Sequence, residues 1–280
     1  MNNKFKAKVI LITGATSGLG QAIAELLADK GHIVYGTSRT IPTKKDIVAE
    51  EKKHVRLLQM DITKVESIRS CMQTLIDNEG KIDILINNAG VGIGGVLELS
   101  TKEEINFQIN TNLIGTMNVC SEVLPHMRKQ RSGKIINMSS IAGVMGIPYQ
   151  GLYSVSKFGI EGYSEALSLE VHQFNIKIIL VEPGDFHTEF TSNRKISQES
   201  LCNEDYKDSF VKTLKLVEKE ELSGLIPIVI AKKINRIINK KRPKFRYSVA
   251  SPVQKLSILA KKILPSRWFH AILRWYYKVP

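Results

Sequence analysis

A glycine-rich turn near the amino terminus constrains the fold more than any other feature of the sequence. Thr13-Gly14-Ala15-Thr16-Ser17-Gly18-Leu19-Gly20 follows a short apolar run, Lys8 to Ile12, and precedes an amphipathic segment that extends to Ala28. A strand, a glycine-rich turn and a helix in this order let the backbone approach a phosphate closely, and the helix N-terminus attracts its negative charge. The opening of the chain therefore predicts a phosphate-binding unit.

Strand and helix patterns alternate without a break from this turn to about residue 250. This alternation predicts an α/β fold with a single doubly wound parallel sheet of the Rossmann type and helices on both faces. The ligands of such a sheet bind at the carboxyl ends of its strands. The later predicted strands are 32–36, 55–60, 82–86, 133–138, 176–181 and 245–249, and the predicted helices include 101–131, 157–174 and 225–239.

One connection does not fit the regular alternation. Residues 189–223 are polar, weakly periodic and longer than most loops. We predict that they form a mobile substrate lid with one or two short helices. The domain division expected is a dinucleotide-binding unit of residues 1–250, including this lid, and a basic C-terminal extension of residues 251–280.

The residues after the second strand bear on the choice of cofactor. Thr37-Ser38-Arg39-Thr40 contains no acidic residue, whereas NAD sites usually place one here to bind the ribose 2′-hydroxyl. Arg39 with Ser38 suits a 2′-phosphate instead. We therefore predict NADP(H) in preference to NAD(H), the alternative being that Arg39 is an ordinary surface residue.

Polar residues follow the next two strands and recur in a helix. Asp61 suits a hydrogen bond to an adenine amino group, or equally a cap on the helix that starts near Lys64. Asn87-Asn88-Ala89-Gly90 follows the fourth strand, and its small and amide residues suit the middle of a cofactor. Asn112 lies inside a helical stretch, where Asn is locally unfavourable, so we expect it to have a non-local role.

A tyrosine, a lysine and a serine carry the predicted chemistry. Tyr153 precedes Lys157 by four residues at the start of a helix, so both side chains lie on one face. An ammonium group beside a phenol favours the phenolate, so we expect Lys157 to lower the pKa of Tyr153 and make it a general acid/base. Ser140, at the end of a strand, suits a hydrogen bond to the same substrate oxygen. The spacing alone also fits an ordinary helix surface.

Four motifs together resemble the short-chain dehydrogenase/reductase family over roughly residues 5–250. They are Thr13-Gly14-x-x-x-Gly18-x-Gly20, Asn87-Asn88-Ala89-Gly90, Ser140 with Tyr153-x-x-x-Lys157, and Pro183-Gly184-x-x-x-Thr188. The resemblance implies that Tyr153 exchanges a proton with a carbonyl or alcohol oxygen and that Ser140 contacts the same substrate. It implies that Lys157 holds the nicotinamide ribose and that Asn112 supports a water-linked proton path to Lys157.

The resemblance also implies a cofactor site and self-association. A homodimer or homotetramer would form through the helices at 101–131 and 152–174. The cofactor would contact Gly14, Thr16, Ser17, Gly18, Leu19, Gly20, Ser38, Arg39, Asp61, Ile62, Asn88, Ala89, Gly90, Tyr153, Lys157, Pro183, Gly184, Phe186 and Thr188.

Within the family, three segments are similar to the branch that acts on steroids, retinoids and other lipophilic alcohols and ketones: Thr37 to Arg39, Tyr153 to Gly162, and Val181 to Gly184. The function expected is NADP(H)-dependent interconversion of a ketone or aldehyde and an alcohol on a lipophilic substrate. One alternative is a 3-oxoacyl or 3-ketosphinganine-type reductase of lipid synthesis. Another is a non-catalytic, dinucleotide-sensing protein that docks on membranes. Asp185 and His187 depart from the branch pattern, which favours small, apolar or basic residues there.

The charge of the chain is concentrated at its carboxyl end. The net charge is +13, yet no Asp or Glu follows Glu221, whereas 14 Lys and Arg do. Residues 253–264 place Leu256, Leu259, Ile263 and Leu264 on one helical face, and an aromatic-rich segment follows Pro265. Two interpretations stay open: an interfacial membrane element, or a helix packed over the substrate pocket with its lysines solvated. No nucleic-acid recognition motif accompanies the charge, so nucleic acid is not expected as a partner.

The remaining composition suits a cytoplasmic protein, with membrane association through the C-terminus left open. Cys71, Cys120 and Cys202 are widely spaced and form no metal-binding pattern, so neither disulfides nor a metal site is expected. No signal peptide and no transmembrane helix are expected, since the apolar runs are too short.

Overall fold

The computed structural model describes residues 6–40 and 55–280. The undescribed ranges 1–5 and 41–54 both fall within the predicted unit of residues 1–250. The strands are β1 (Val9–Thr13), β2 (Ile33–Ser38), β3 (Val55–Gln59), β4 (Ile84–Asn87), β5 (Ile93–Gly94), β6 (Gly133–Met138), β7 (Ile176–Pro183), β8 (Lys195–Ile196) and β9 (Arg246–Val249).

Seven of the strands form one parallel sheet in the order β3-β2-β1-β4-β6-β7-β9. The order reverses between β1 and β4, which pair in register from Ile10 with Ile84 to Ile12 with Ile86. This reversal places a crevice at the carboxyl ends of the strands. The predicted doubly wound Rossmann-type fold is confirmed.

Helices cover both faces of the sheet, and the core consists of one apolar cluster on each side. The central strands β1 and β4 are almost wholly apolar, as expected for strands that are buried on both faces. The helices are α1 (Gly18–Asp29), α2 (Val65–Glu79), α3 (Lys102–Ile109), α4 (Gly115–Gln130), α5 (Gly151–Glu170), α6 (Gln198–Cys202), α7 (Lys207–Leu222), α8 (Pro227–Ile238), α9 (Pro252–Ile263) and α10 (Ser266–Tyr277).

The segment predicted as a lid is more ordered than its sequence pattern suggested. Its β8 pairs with β5 in a small separate parallel ladder, in which Ile93 faces Lys195. The helix α7 has 16 residues and is therefore not short. Its buried face includes Thr213 between Phe210 and Val217, and this polar residue weakens the apolar periodicity that would have revealed the helix.

The two C-terminal helices pack against the body of the protein through a third apolar cluster. Phe269 and Tyr277 of α10 are buried there with Ile141, Met145 and Val217. The side chain of Ser251 caps α9 by accepting a hydrogen bond from the backbone N–H of Gln254 at 3.3 Å. In the described ranges, no helix is both long enough and apolar enough to cross a membrane.

Candidate active site

A cavity of about 780 Å³ follows the carboxyl edge of the sheet. It is bordered by the glycine-rich turn after β1, the ends of β2, β4, β6 and β7, the start of α5 and the inner sides of α7 and α10. Most of the predicted site residues line it. Those that do are Gly14, Ser17, Gly18, Leu19, Ser38, Arg39, Asp61, Ile62, Asn88, Ala89, Gly90, Ser140, Tyr153, Lys157, Pro183, Gly184, Phe186 and Thr188.

The glycine-rich turn has the shape of an anion-binding cradle. Gly14 and Gly18 have φ of +64° and +53°, a left-handed conformation that favours glycine. A Cβ on Gly14 would lie 2.9 Å from the Cα of Ala89, and one on Gly20 would collide with the carbonyl oxygen of Gly14. Ser17 immediately precedes α1 and its side chain does not cap the helix, so the first N–H groups of that helix are free to bind a phosphate. These residues fit a dinucleotide pyrophosphate.

The end of β2 forms the adjoining wall. The hydroxyl of Thr16 donates a hydrogen bond to that of Ser38 at 3.3 Å, so Thr16 braces the wall without lining the cavity. Arg39 is exposed and lines the cavity. Its carbonyl oxygen accepts a hydrogen bond from the side chain of Gln59 at 2.9 Å. The backbone of Arg39 is therefore fixed while its guanidinium group remains available for an anion.

Asp61 takes part in a local turn as well as lining the cavity. Its Oδ1 accepts hydrogen bonds from the N–H and the hydroxyl of Thr63, at 3.0 and 2.7 Å. Burial opposes ionisation, but these hydrogen bonds, with Lys64 and Arg39 nearby, keep the pKa of Asp61 below its ordinary value. The helix-cap alternative is wrong, because Lys64 is the residue before α2 and no side chain caps that helix. Oδ1 of Asp61 closes a turn with Thr63 instead.

Asn88 joins the end of β4 to the glycine-rich turn. Its Nδ2 donates to the carbonyl oxygens of Thr13 and Gly14, at 3.0 and 2.9 Å. The Thr13 hydroxyl accepts from the backbone N–H groups of Asn88 and Ala89, both at 2.9 Å. The amide side chain therefore maintains the shape of the cradle from within.

The predicted acid/base group lies deep in the cavity. Lys157 Nζ lies 5.6 Å from the centroid of the Tyr153 ring and donates to the carbonyl oxygen of Met138 at 2.7 Å. Burial raises the pKa of Tyr153 to about 12, and a hydrogen bond with Ser140 opposes that rise. Burial also lowers the pKa of Lys157 to about 8. The pKa of Tyr153 therefore moves upward, opposite to the prediction, because burial is the largest cause and the nearby Glu221 and Asp185 raise it further, against the opposing effects of Ser140 and Arg194.

Ser140 is better placed than its neighbour for contact with a substrate. Its hydroxyl caps a short 3₁₀ turn by accepting from the N–H of Ala142 at 3.1 Å, and it opposes the rise in the pKa of Tyr153. The hydroxyl of Ser139 is buried without a partner and would lie close to any Cβ on Gly143.

Asn112 lies in a single π-helical turn, residues 110–114, that separates α3 from α4. Its Oδ1 accepts from the N–H of Val91 at 2.8 Å, and its Nδ2 donates to the Val91 carbonyl at 2.9 Å and to Ser156 at 3.1 Å. Among the described residues, this side chain makes no hydrogen bond to Lys157 and does not line the cavity. It fixes the loop after β4, and the proton-path role stays a prediction.

The end of the cavity beyond Tyr153 contains groups that sequence reasoning missed. Three carboxylic acids line it together with apolar and aromatic groups. Glu221 is paired with the buried Arg194 and accepts from Thr191 at 2.7 Å. Glu220 accepts from the hydroxyl of Tyr276. The lining residues at this end include Ile147, Asp185, Phe190, Val217, Glu220, Glu221 and Tyr277.

Among the residues that the structure describes, no cation is in direct contact with Asp185. Gln254 Nε2 donates to its Oδ2 at 2.6 Å. Burial, with Glu221 and Glu220 nearby, raises the pKa of Asp185 to about 7. Its departure from the branch pattern was the only sequence signal at this end of the cavity. His187 is exposed and outside the cavity wall, as expected for a surface residue.

The comparisons with known proteins agree with this geometry. Residues 8–199 match the family model described as short chain dehydrogenase, and the chain therefore belongs to the short-chain dehydrogenase/reductase family. It is 52% identical over 272 residues to 3-ketodihydrosphingosine reductase of Bacteroides thetaiotaomicron, which covers 97% of this chain and 98% of the relative.

Solved structures share the fold. A short-chain dehydrogenase from Streptomyces avermitilis matches with a TM-score of 0.82 at 29% identity, over 99% of this chain and 98% of that one. ElxO with NADP bound matches with a TM-score of 0.70 at 27% identity, over 87% and 97% of the two chains. The chain is thus an oxidoreductase of a family whose solved members bind nicotinamide dinucleotides.

Proposed function

We propose that this chain is an NADPH-dependent reductase of a long-chain 2-amino-3-oxo base of the 3-ketodihydrosphingosine type. The observation that carries the proposal is the 52% identity to a reductase of this name over nearly the whole of both chains. The family model ends at residue 199, whereas the match to this relative covers 97% of this chain and so also includes Val217, Glu220 and Glu221, which line the substrate end of the cavity. The aligned region therefore includes α7, which forms one wall of the proposed substrate site.

The chemistry of the cavity wall supports an amine-bearing ketone. Asp185 offers a carboxylate that no cation directly neutralises, whereas Glu221 is compensated by Arg194. A substrate ammonium beside Asp185 would gain a charge-assisted hydrogen bond, and the apolar groups Ile147, Val217 and Phe190 suit an alkyl chain. A steroid or retinoid carries no cation to compensate that carboxylate. The lipid-synthesis alternative is accordingly preferred to the steroid and retinoid branch.

The residues near the carbonyl suit reduction. When bound, the reduced dinucleotide supplies the hydride that adds to the carbonyl carbon. Tyr153 donates its phenolic proton to the carbonyl oxygen, and Ser140 stabilises that oxygen by hydrogen bonding. Because the pKa of Tyr153 is about 12, the phenol is protonated at neutral pH, which is the form that a proton donor requires. The products are a 3-hydroxy base and the oxidised dinucleotide.

The preference for NADPH rests on two side chains. Arg39 and Ser38 line the cavity at the end of β2, where a 2′-phosphate would receive a guanidinium contact. No acidic residue is present among residues 37–40 to bind a free 2′-hydroxyl.

The test is a panel of purified substrates assayed with NADPH and with NADH. We expect kcat/KM for 3-ketodihydrosphingosine to exceed those for a long-chain 3-oxoacyl thioester, a ketosteroid and retinal by about tenfold or more, as expected for a buried charge contact. A higher value for any of the other three would overturn the substrate assignment. Equal use of NADH would overturn the cofactor assignment, and dinucleotide binding without turnover of any substrate would favour the non-catalytic alternative.

A further inference from the structure

The two C-terminal helices expose an apolar face away from the body of the protein. We call it the outer face and define it as Val253, Leu256, Leu259 and Ile263 of α9 with Trp268, Ile272 and Trp275 of α10. These side chains are 48 to 79% exposed. Their spacing of three or four residues places those of each helix on one stripe. Scattered exposed apolar residues are ordinary, but this density on two short helices marks an interaction surface.

The outer face belongs to helices whose opposite sides are well packed. Phe269 and Tyr277 are buried in the cluster with Ile141 and Val217. The carbonyl oxygen of Tyr277 accepts a hydrogen bond from the hydroxyl of Thr213 at 2.7 Å. The helices are thus fixed to the body of the protein by their inner sides. The apolar residues of the outer face are not part of that packing and remain exposed.

Cations surround the outer face. Both Trp residues and all six basic residues of the segment are exposed, and no acidic residue follows Glu221. Aromatic groups with interspersed Lys and Arg match the boundary between anionic lipid headgroups and acyl chains. The basic residues are Lys255, Lys262, Arg267, Arg274 and Lys278, together with Lys261, whose ammonium group instead contacts the carbonyl oxygen of Val144 and the ring of Phe158 on the body of the protein.

The same charges disfavour a second copy of this chain as the partner. In a symmetric dimer, the same patch of both copies meets. Because neither α9 nor α10 contains an acidic residue, the two cationic patches would then repel each other. An anionic bilayer compensates the charge and also accepts the apolar groups.

The geometry points to α9 and α10 as an interfacial docking element that seats the protein on an anionic phospholipid bilayer. The outer face would lie at the level of the headgroups, and Trp268 and Trp275 would enter the boundary. At the end of the same helix, Tyr277 lines the cavity and Tyr276 bonds to Glu220, another lining residue. Docking would therefore bring one wall of the cavity to the membrane. This link to substrate delivery rests on the proposed function, but the docking does not.

The chain carries its own probe, because Trp268 and Trp275 are its only two tryptophans. Intrinsic tryptophan fluorescence of the full chain is titrated with vesicles of phosphatidylcholine, alone or with about one third phosphatidylglycerol. With the anionic vesicles, we expect the tryptophan emission to shift to shorter wavelength and to be quenched by brominated acyl chains. Both changes should be reversed by about 0.5 M salt, because salt shortens the screening length and weakens the attraction between the cations and the lipid. Unchanged emission with anionic vesicles at low salt would overturn the proposal.

Variants separate the contributions of charge and apolar groups. A triple variant removes three of the cations, Lys255→Gln/Lys262→Gln/Arg267→Gln. Its affinity for anionic vesicles, measured by co-sedimentation, should fall about a hundredfold, since each cation near an anionic surface increases the affinity several-fold. Trp268→Ser/Trp275→Ser should also release the protein. Leu169→Ser is the matched control, because Leu169 is 76% exposed on α5 and should leave binding unchanged. Equal weakening by the control would overturn the assignment to the outer face.

Two further measurements keep the interpretation unambiguous. The first is the oligomeric state of the wild type and of Trp268→Ser/Trp275→Ser, measured by sedimentation without vesicles. If the wild type is an oligomer and the variant is not, the outer face contacts a second copy of the chain, and the membrane proposal is overturned. Turnover is assayed with detergent-dispersed substrate. We expect that turnover to be equal in the wild type and the variant, so that a failure of docking is distinguished from a failure of the proposed function.

Discussion

Gln254 Nε2 donates a hydrogen bond of 2.6 Å to Oδ2 of Asp185. Gln254 belongs to the first turn of α9, and its Oε1 accepts from the N–H of Ser251 at 3.2 Å. Asp185 lies two residues after the end of β7, in the cavity wall. This contact fixes the orientation of a carboxyl group in the cavity by means of a helix that the family model does not cover.

The first prediction concerns substrate selection by Asp185. Asp185→Asn should lower kcat/KM for 3-ketodihydrosphingosine by about tenfold or more, since it removes the charge that would pair with the ammonium. A long-chain ketone that lacks the amine should be little affected. Steady-state kinetics with both substrates check this, and equal losses for the two would show that Asp185 acts on structure and not on recognition.

The same interaction implies a pH dependence of substrate affinity. With a pKa of about 7, Asp185 is largely protonated below neutral pH and charged above it. The KM for the amino ketone should therefore fall as pH rises through about 7, as long as the amine stays protonated. This trend should be absent in Asp185→Asn, and its persistence there would assign the titration to another group.

A third prediction concerns stability. The folded-state pKa of Asp185, about 7, lies above the ordinary value of 3.8, so the folded protein binds more protons than the unfolded chain between these values. The stability supplied by the protonated form is fully present below pH 3.8 and lost as pH rises through about 7. Asp185→Asn cannot ionise and should raise the free energy of unfolding at pH 8 by roughly 2 kcal/mol.

Urea unfolding at pH 5 and pH 8 measures this effect. The difference between Asp185→Asn and wild type should be larger at pH 8. The control is Asp205→Asn, because Asp205 is exposed and should show no such difference. A variant equally stable or less stable than wild type at pH 8 would contradict the proposed cost of ionising Asp185.

The fourth prediction tests the site for the 2′-phosphate. Arg39→Ala should raise the KM for NADPH by about ten- to hundredfold, the value of a charge-assisted contact, and leave the KM for NADH nearly unchanged. Arg242→Ala is a suitable control, because Arg242 is also exposed but does not line the cavity. An unchanged ratio of the two KM values in Arg39→Ala would refute the assignment.

The fold, and the part of the cavity bordered by the glycine-rich turn and the start of α5, could be predicted from the sequence because their signals are local. The cradle, Asn88 and the Tyr153–Lys157 pair each lie within a few residues of a strand end or helix start, where short motifs constrain the backbone. The substrate half depends on contacts between distant segments. The hydrogen bond from Thr213 to Tyr277, for example, joins residues 64 positions apart, and no short motif indicates it.

The direction of the Tyr153 pKa shift was missed for a similar physical reason. The four-residue spacing from Lys157 correctly places both groups on one face of α5, and a neighbouring ammonium does favour a phenolate. Burial by Phe190, whose ring centroid lies 5.5 Å from that of Tyr153, comes from the segment after β7. The size of that burial is a tertiary property, and burial is the largest cause of the upward pKa shift.

The fifth prediction concerns Tyr153 itself. Tyr153→Phe removes the proton donor but keeps the ring that packs against Phe190, so kcat should fall by about 10²–10⁴-fold while NADPH affinity, measured by fluorescence titration, stays near that of wild type. Tyr163→Phe is the matched control, since Tyr163 lies on the same helix and outside the cavity wall. It should retain turnover, and a Tyr153→Phe variant that also retained it would rule out Tyr153 as the acid.

The direction of catalysis provides a further check on the same group. Reduction needs the protonated phenol, which predominates below the pKa of about 12, so the rate of reduction at saturating amino ketone should vary little from pH 6 to pH 8. Oxidation of the 3-hydroxy base needs the phenolate. At pH values below that pKa, the phenolate population increases tenfold for each unit by which the pH increases, so the rate of oxidation should increase from pH 6 to pH 8 and beyond. Rates in both directions are measured from initial velocities at saturating dinucleotide. An oxidation rate independent of pH would mean that Tyr153 is already ionised in the working complex, and its pKa would then have to be lowered by the bound dinucleotide.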